Sequence, residues 1–138
     1  ILVNIARFIN KEYDGNIPSD KERLLKIPHI GHYTAGAILS LGYGIPAPMV
    51  DSNVQRILSR VFNNCLPKKG RARAISTLAE ILVPKEEHVV FNLGLLDLGA
   101  LICRYDRPRC ELCPLSDVCD VGRKVVSHIS STPHSKEA

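Results

Sequence analysis

Apolar residues recur every three or four positions along most of the chain, which is the spacing of one face of an α-helix. Turn-forming residues interrupt this pattern, first at Asp14-Gly15 and later across Gly44–Pro48. The pattern predicts helices over residues 1–13, 18–25, 32–43, 71–82 and 86–102, and another that begins near residue 52. No segment alternates apolar and polar residues as a half-buried strand would. The sequence therefore predicts an all-α fold.

Two segments depart from the amphipathic pattern. The helix predicted over residues 86–102 is apolar almost all round, with Asp97 as its only charge between Glu87 and Arg104, so we expect it to be buried. Asp97 is either a second carboxylate of a site or, as burial of the helix favours, a hydrogen-bonded part of the architecture. Residues 123–138 show no periodicity, and we expect a disordered tail there.

Positive charge is concentrated in one part of the sequence. The chain has 18 lysine and arginine residues against 14 aspartate and glutamate residues, which gives a formal net charge of +4. Between Ser52 and Ala79 there are six basic residues and no acidic one. They are Arg56, Arg60, Lys68, Lys69, Arg71 and Arg73. Such a segment is typical of a surface that faces phosphates, although a solvated face without a partner has the same composition.

The chain has no apolar run long enough to cross a bilayer and no secretory start in which basic residues precede an apolar segment. We therefore expect an intracellular protein, in the cytoplasm or nucleoid of a prokaryote or in the nucleus of a eukaryote.

Four cysteines near the carboxyl end follow the spacing C-x6-C-x2-C-x5-C. They are Cys103, Cys110, Cys113 and Cys119. Four thiolates so close in sequence can converge on one soft metal centre, and an iron–sulfur cluster and zinc fit the spacing about equally well. Disulfides fit less well, because the chain has no second cysteine-rich region. A fifth cysteine, Cys65, lies outside the spacing and is expected to be a free thiol.

The segment Ile27-Pro28-His29-Ile30-Gly31 is a short turn between two predicted helices. A tight turn that leads into a helix leaves backbone N–H groups unpaired, and these groups together with the helix dipole suit a phosphate oxygen. An ordinary helix–turn–helix connection has the same pattern. The turn alone therefore does not decide between these interpretations.

The turn and the cysteines occur together with further motifs. These are Tyr33-Thr34-Ala35-Gly36-Ala37-Ile38, Val50-Asp51-Ser52-Asn53-Val54-Gln55-Arg56-Ile57 and Phe91-Asn92-Leu93-Gly94-Leu95-Leu96-Asp97-Leu98-Gly99-Ala100. Over residues 1–121 the combination resembles the helix-hairpin-helix superfamily of DNA glycosylases, which includes endonuclease III, the A/G-mismatch adenine glycosylase and the thymine–DNA mismatch glycosylase. The resemblance implies a [4Fe–4S] cluster on the four cysteines in place of zinc.

The resemblance also implies how the chain is organised. Residues 1–70 are expected to be part of a six-helix barrel domain with the helix-hairpin-helix. Residues 71–122 are expected to form cluster-domain helices and the cluster loop, and residues 123–138 the tail. Family members carry further residues upstream, so the amino-terminal part of the fold is expected to be missing. In adenine glycosylases that part holds a catalytic glutamate.

By resemblance, two residues are expected to take part in base excision. Asp51 occupies the position of the family's catalytic aspartate, although an aspartate there also suits the cap of the following helix. Tyr33 stands where endonuclease III-like enzymes carry a lysine, whose amine forms a Schiff base with the sugar. Tyrosine cannot form that imine, and thymine–DNA mismatch glycosylases carry tyrosine here. The resemblance therefore implies a monofunctional glycosylase that removes thymine or uracil opposite guanine.

The expected partner is double-stranded DNA with a mismatched or damaged base, bound by a monomer. The residues expected to contact DNA are Ile27, His29, Gly31, His32, Arg56, Lys68, Lys69 and Arg71. The family hairpin usually carries glycine at the position of His29, and a positive φ there would strain histidine. Two other functions remain open, namely an adenine glycosylase acting opposite guanine or oxidised guanine, and a DNA-binding module without catalytic activity.

Overall fold

The computed structural model describes residues 1–131, which form seven α-helices, one π-helical turn and one 3-10 turn. In chain order the helices are α1 (Leu2–Tyr13), α2 (Lys21–Leu24), α3 (His32–Ala37), α4 (Ser52–Val61), α5 (Arg71–Leu82), α6 (His88–Leu101) and α7 (Asp120–Ser131). The π-helical turn, Ile38–Gly42, continues α3, and the 3-10 turn is Cys110–Leu112. Since the described residues contain no strand, the prediction of an all-α fold is confirmed.

Local signals set the ends of the first two helices. Helix α1 ends where Asp14 adopts a left-handed φ of 50° and Gly15 follows with φ 78°. Helix α2 begins after Asp20, whose carboxylate accepts a hydrogen bond from the Arg23 backbone N–H at 2.9 Å. The predicted turn at Asp14-Gly15 is therefore confirmed, and α2 is shorter than predicted because Asp20 caps it.

The chain divides into two compact units, and α5 and α6 each contribute residues to both. One unit comprises Ile1–Asp51 and Ala79–Leu93. Its core includes Leu24, Ile27, Ala35, Leu39 and Ala47. The other comprises Ser52–Leu78 and the described residues from Gly94 onward, and it buries Val54, Ile57 and Leu58 of α4. The domain boundaries implied by the family resemblance stay a prediction.

Helix α6 is not buried all round, contrary to expectation. Val90 and Leu101 are 67% and 65% exposed, and Asp97 is also exposed. The buried positions are His88, Asn92 and Gly99. The apolar composition of α6 predicted that all of its sides would be buried. The residues that are in fact buried are polar or small, and they make hydrogen bonds or allow close packing. The expectation that Asp97 is buried architecture is wrong.

Helix α7 occupies part of the segment that was expected to be a disordered tail. Residues 123–131 are helical, so the expectation is wrong for them, and residues 132–138 lie outside the described part of the chain. The carboxylate of Asp120 anchors the start of α7, because it accepts hydrogen bonds from the Asn64 backbone N–H at 2.7 Å and from Arg123 at 3.0 Å. The Asn64 hydrogen bond, aided by Arg123, lowers the pKa of Asp120. Helix α7 also packs against α4 and the 3-10 turn.

Among the described residues, no helix combines the length and the apolar composition that a bilayer crossing requires.

Candidate functional site

The predicted hairpin connects α2 to α3, and its backbone is tightly turned. The Ile30 N–H donates to the Ile27 carbonyl at 3.2 Å, and His29 between them has φ 64°. Positive φ at His29 explains why this position favours glycine, and histidine tolerates it better than most residues. Ile27 is only 2% exposed, so its side chain anchors the turn in the core, and its expected contact with DNA stays a prediction.

Four residues around the end of the hairpin and the start of α3 are exposed. His29, Gly31 and His32 are all exposed, and Tyr33 in the first turn of α3 is 39% exposed. Gly31 precedes α3 with an extended backbone and no side-chain cap. The hairpin therefore presents a glycine, two imidazoles and one phenol ring at the start of α3.

Asp51 is half-buried and lies in the same unit as the hairpin, directly before α4. The residues before it run without helix from Gly44, and Ala47, Pro48 and Met49 are buried. Helix α3 approaches this segment closely, because a Cβ added to Gly36 would lie 2.1 Å from the Pro48 carbonyl oxygen. Only glycine permits that approach. Asp51 thus follows a segment packed against α3.

The four predicted cysteine ligands line a single cavity in the other unit. Cys103 follows α6, Cys110 begins the 3-10 turn, Cys113 directly follows that turn and Cys119 precedes α7. Apolar side chains complete the wall, including Ile57, Val61, Leu98, Ile102, Leu115 and Val121. The elements of this unit thus place all four cysteines in the wall of one cavity, and their role as ligands stays a prediction. Cys65 is an exposed free thiol outside the cavity.

The thiols influence one another and are partly shielded from solvent. Burial raises the pKa of Cys110, and the negative charges of Cys119, Cys113 and Cys103 raise it further. Burial also raises the pKa of Cys113. Within the described residues, no group of three or more His, Cys, Asp and Glu side chains is arranged to hold a single metal ion. The donor set is nevertheless one of soft thiols around one cavity, which suits an iron–sulfur cluster.

Arg60 on α4 fixes the loop that follows Cys103. Its guanidinium donates to the carbonyls of Arg104 at 2.7 Å and Tyr105 at 2.8 Å, and it lies 3.4 Å from the Cys103 sulfur. The Gly122 N–H donates to the Cys119 sulfur at 3.2 Å. Hydrogen bonds of this kind orient thiol ligands.

Two of the arginines expected to contact DNA point into the protein. Arg56 donates to the carbonyls of Cys103 and Gly99 and to the Asn53 side chain, each at 2.8 Å. Arg71 donates to the Ser59 hydroxyl at 3.0 Å and to the Ser59 carbonyl at 2.8 Å. These hydrogen bonds give both guanidiniums a structural role.

Lys68 and Lys69, in contrast, are exposed in the loop before α5.

Sequence reasoning did not identify two of the polar side chains that organise these regions. Arg60 was recognised only as part of the basic segment, and Asn92 only as part of a motif. Asn92 is 2% exposed in the middle of an apolar helix. The available signal was an amide within the apolar run of this helix, because a buried amide needs hydrogen-bond partners.

The comparisons agree with the resemblance to DNA glycosylases. No protein-family model matches the chain. A thymine/uracil-DNA glycosylase of Methanothermobacter thermautotrophicus is 36% identical over 124 residues, which are 89% of this chain and 56% of that relative. An adenine DNA glycosylase of Mycolicibacterium smegmatis is 37% identical over 115 residues, 83% of this chain and 39% of that relative.

A solved structure, that of a thermostable thymine-DNA glycosylase, matches with a TM-score of 0.79 at 36% identity. The match covers 89% of this chain and 57% of that one. The chain thus spans a little over half the length of the thymine/uracil-DNA and thymine-DNA glycosylases and less of the adenine DNA glycosylase. Over the stretch that these matches cover, the chain belongs to the helix-hairpin-helix superfamily of DNA glycosylases.

Proposed function

We propose that this chain is part of a monofunctional base-excision-repair glycosylase, which hydrolyses the N-glycosidic bond of thymine or uracil opposite guanine. One observation carries the proposal: the unit that holds the hairpin also holds a half-buried carboxylate, Asp51, and an exposed phenol, Tyr33. A relative named thymine/uracil-DNA glycosylase, 36% identical, supports the choice of base. The enzyme would act on genomic DNA inside the cell.

Asp51 is proposed to stabilise the sugar as the bond breaks. The target base must first leave the duplex stack, at a cost of a few kcal/mol that is lowest for mismatched bases. Positive charge then develops on the deoxyribose, and a fixed carboxylate stabilises it electrostatically. The same carboxylate can orient the attacking water and accept its proton.

Tyr33 is proposed to limit the reaction to hydrolysis. A lysine amine at this position would attack the sugar and give strand cleavage through a Schiff base. A phenol forms no imine, so water is the nucleophile and the strand stays intact. The exposed ring and hydroxyl of Tyr33 suit stacking on a pyrimidine and hydrogen bonding to its edge.

The four cysteines of the cavity are proposed to hold a [4Fe–4S] cluster. Four soft thiol donors around one partly apolar cavity fit such a cluster, and each protein ligand occupies a different point of the chain between α6 and α7. When bound, the cluster would cross-link this segment. The exposed Arg104, Arg107 and Arg109 of the same segment suit phosphate contacts.

The proposed reaction is tested with the natural full-length protein and duplexes that contain T·G, U·G, A·G or A opposite oxidised guanine. We expect fastest excision from T·G and U·G, with strand breaks only after alkali. Tyr33→Lys should add strand cleavage that borohydride traps as a covalent complex. Faster excision of adenine would instead favour the second candidate, which the 37% identity to an adenine glycosylase supports. No excision from any duplex would contradict the proposal.

Double substitution of Lys68 and Lys69 by alanine should weaken binding to all duplexes about equally. Both side chains are exposed, and a phosphate contact carries no sequence information. The slope of log affinity against log salt should become shallower by about two. Fluorescence anisotropy across a salt series measures this slope.

Lys11→Ala on α1 is the matched control, because this lysine is also exposed but lies outside the basic segment. The slope of log affinity against log salt for this variant should equal that of the parent. A double variant that keeps the parental slope would show that Lys68 and Lys69 make no phosphate contact.

A further inference from the structure

The Asn92 side chain makes three hydrogen bonds, two of them to the segment that leads to Asp51. Its Nδ2 donates to the Ala47 carbonyl at 2.9 Å, and its Oδ1 accepts from the Met49 backbone N–H at 3.1 Å. The second hydrogen of Nδ2 goes to the Ser40 hydroxyl at 3.1 Å. Because Asn92 is 2% exposed, water cannot replace these partners without opening the core.

The segment needs such a partner because it is buried without regular structure. Ala47 and Met49 are 5% and 2% exposed, and their backbone groups pair with no helix or strand. Buried backbone groups without hydrogen bonds are costly, and Asn92 supplies one donor and one acceptor, as a neighbouring strand would. The close approach of Gly36 to Pro48 holds the same segment from α3.

We propose that Asn92 is a positioning residue for base excision, which fixes the Ala47–Met49 backbone and thereby the location of the Asp51 carboxylate two residues later. This inference rests on the proposed function, in which Asp51 stabilises the cationic sugar. A carboxylate stabilises that charge only if it is already in place when the bond breaks. Displacement of a catalytic group by about 1 Å can lower the rate of the reaction about a hundredfold.

Asn92→Leu in the natural full-length protein is the main test, because leucine has the same branched arrangement of side-chain heavy atoms and makes none of the three hydrogen bonds. The single-turnover excision rate should fall by about a hundredfold. Duplex affinity should stay close to that of the parent, since Asn92 is buried. Hydrogen exchange of the Met49 amide should accelerate, which reports the released segment directly.

Ser40→Ala is the matched control. Ser40 is 1% exposed and bonds both Asn92 and His88, so its loss should also lower the melting temperature. The two hydrogen bonds from Asn92 to the segment remain in this variant. Its excision rate and its Met49 amide protection should therefore stay close to those of the parent, which a general loss of stability would not explain.

Asn92→Asp provides a second variant, because it keeps the acceptor for the Met49 N–H but replaces the donor to the Ala47 carbonyl with a carboxylate oxygen. We expect a loss of rate here too. Three results would overturn the inference: a folded Asn92→Leu protein with the parental rate, an equal loss of rate in Ser40→Ala, or failure of both Asn92 variants to fold.

An Asp51→Asn variant in the same assay separates this inference from the proposed function. If Asp51→Asn keeps the parental rate, the proposed function fails whatever the Asn92 variants do. If Asp51→Asn is slow and folded Asn92→Leu is not, only the positioning role fails.

Discussion

Cys110→Ser should cost the natural full-length protein its cluster, much of its stability and its duplex affinity together. Cys110 is 8% exposed and lines the cavity with the other three thiols, so its substitution removes one of the four proposed ligands. The free energy with which side chains bind a metal centre contributes directly to the free energy of folding. The parent, purified without oxygen, should be brown with about four irons per chain, and the variant should lose iron and melt at lower temperature.

Cys65→Ser is the control for this substitution. It removes an exposed thiol that lies outside the cavity, so iron content, absorbance and melting temperature should match the parent. Two findings would contradict the cluster proposal. One is a colourless parent with a single zinc, and the other is a Cys110→Ser protein that keeps its iron.

The helices and the hairpin could be predicted because their signals are local. Asp14-Gly15 ends α1 through left-handed backbone angles, which depend on the two residues themselves. The strain expected at His29 is present as φ 64°. The convergence of the cysteines follows from short spacing, which leaves the chain little freedom to place them elsewhere.

The roles of two half-buried arginines could not be predicted, because most of their hydrogen-bond partners lie on other elements of the fold. Arg56 and Arg71 belong to a basic segment that suggested a phosphate-facing surface. In the structure, Arg56 satisfies carbonyls at the end of α6, which only the tertiary fold brings near it. The planar guanidinium group holds its N–H donors in a fixed geometry, which suits a pair of carbonyls as well as a phosphate.

Which side of α6 is buried could not be predicted from the sequence either. Its composition is apolar nearly throughout, yet Val90 and Leu101 face outward while Asn92 is enclosed. A helix that is hydrophobic all round carries no periodic signal for which side is covered. Close contacts decide the side instead, as at Gly99, where an added Cβ would lie 2.6 Å from Asn53.

Asp51→Asn should slow base excision at least about a hundredfold in the natural full-length protein, since it removes the charge that opposes the developing cation. Asparagine keeps the shape of the side chain and its ability to accept a hydrogen bond, so folding should be preserved. Binding to mismatched duplex should survive or tighten, because a carboxylate close to phosphates is lost. Single-turnover excision and binding, measured separately, test both statements.

Asp97→Asn is the matched control, because it removes an exposed carboxylate from α6 by the same chemical change. Its excision rate should equal that of the parent, which excludes a general effect of lowering negative charge. A folded Asp51→Asn protein that excises as fast as the parent would assign Asp51 to helix initiation alone, since an aspartate directly before α4 also suits the capping position. The carboxylate that stabilises the sugar would then have to lie elsewhere in the full-length protein.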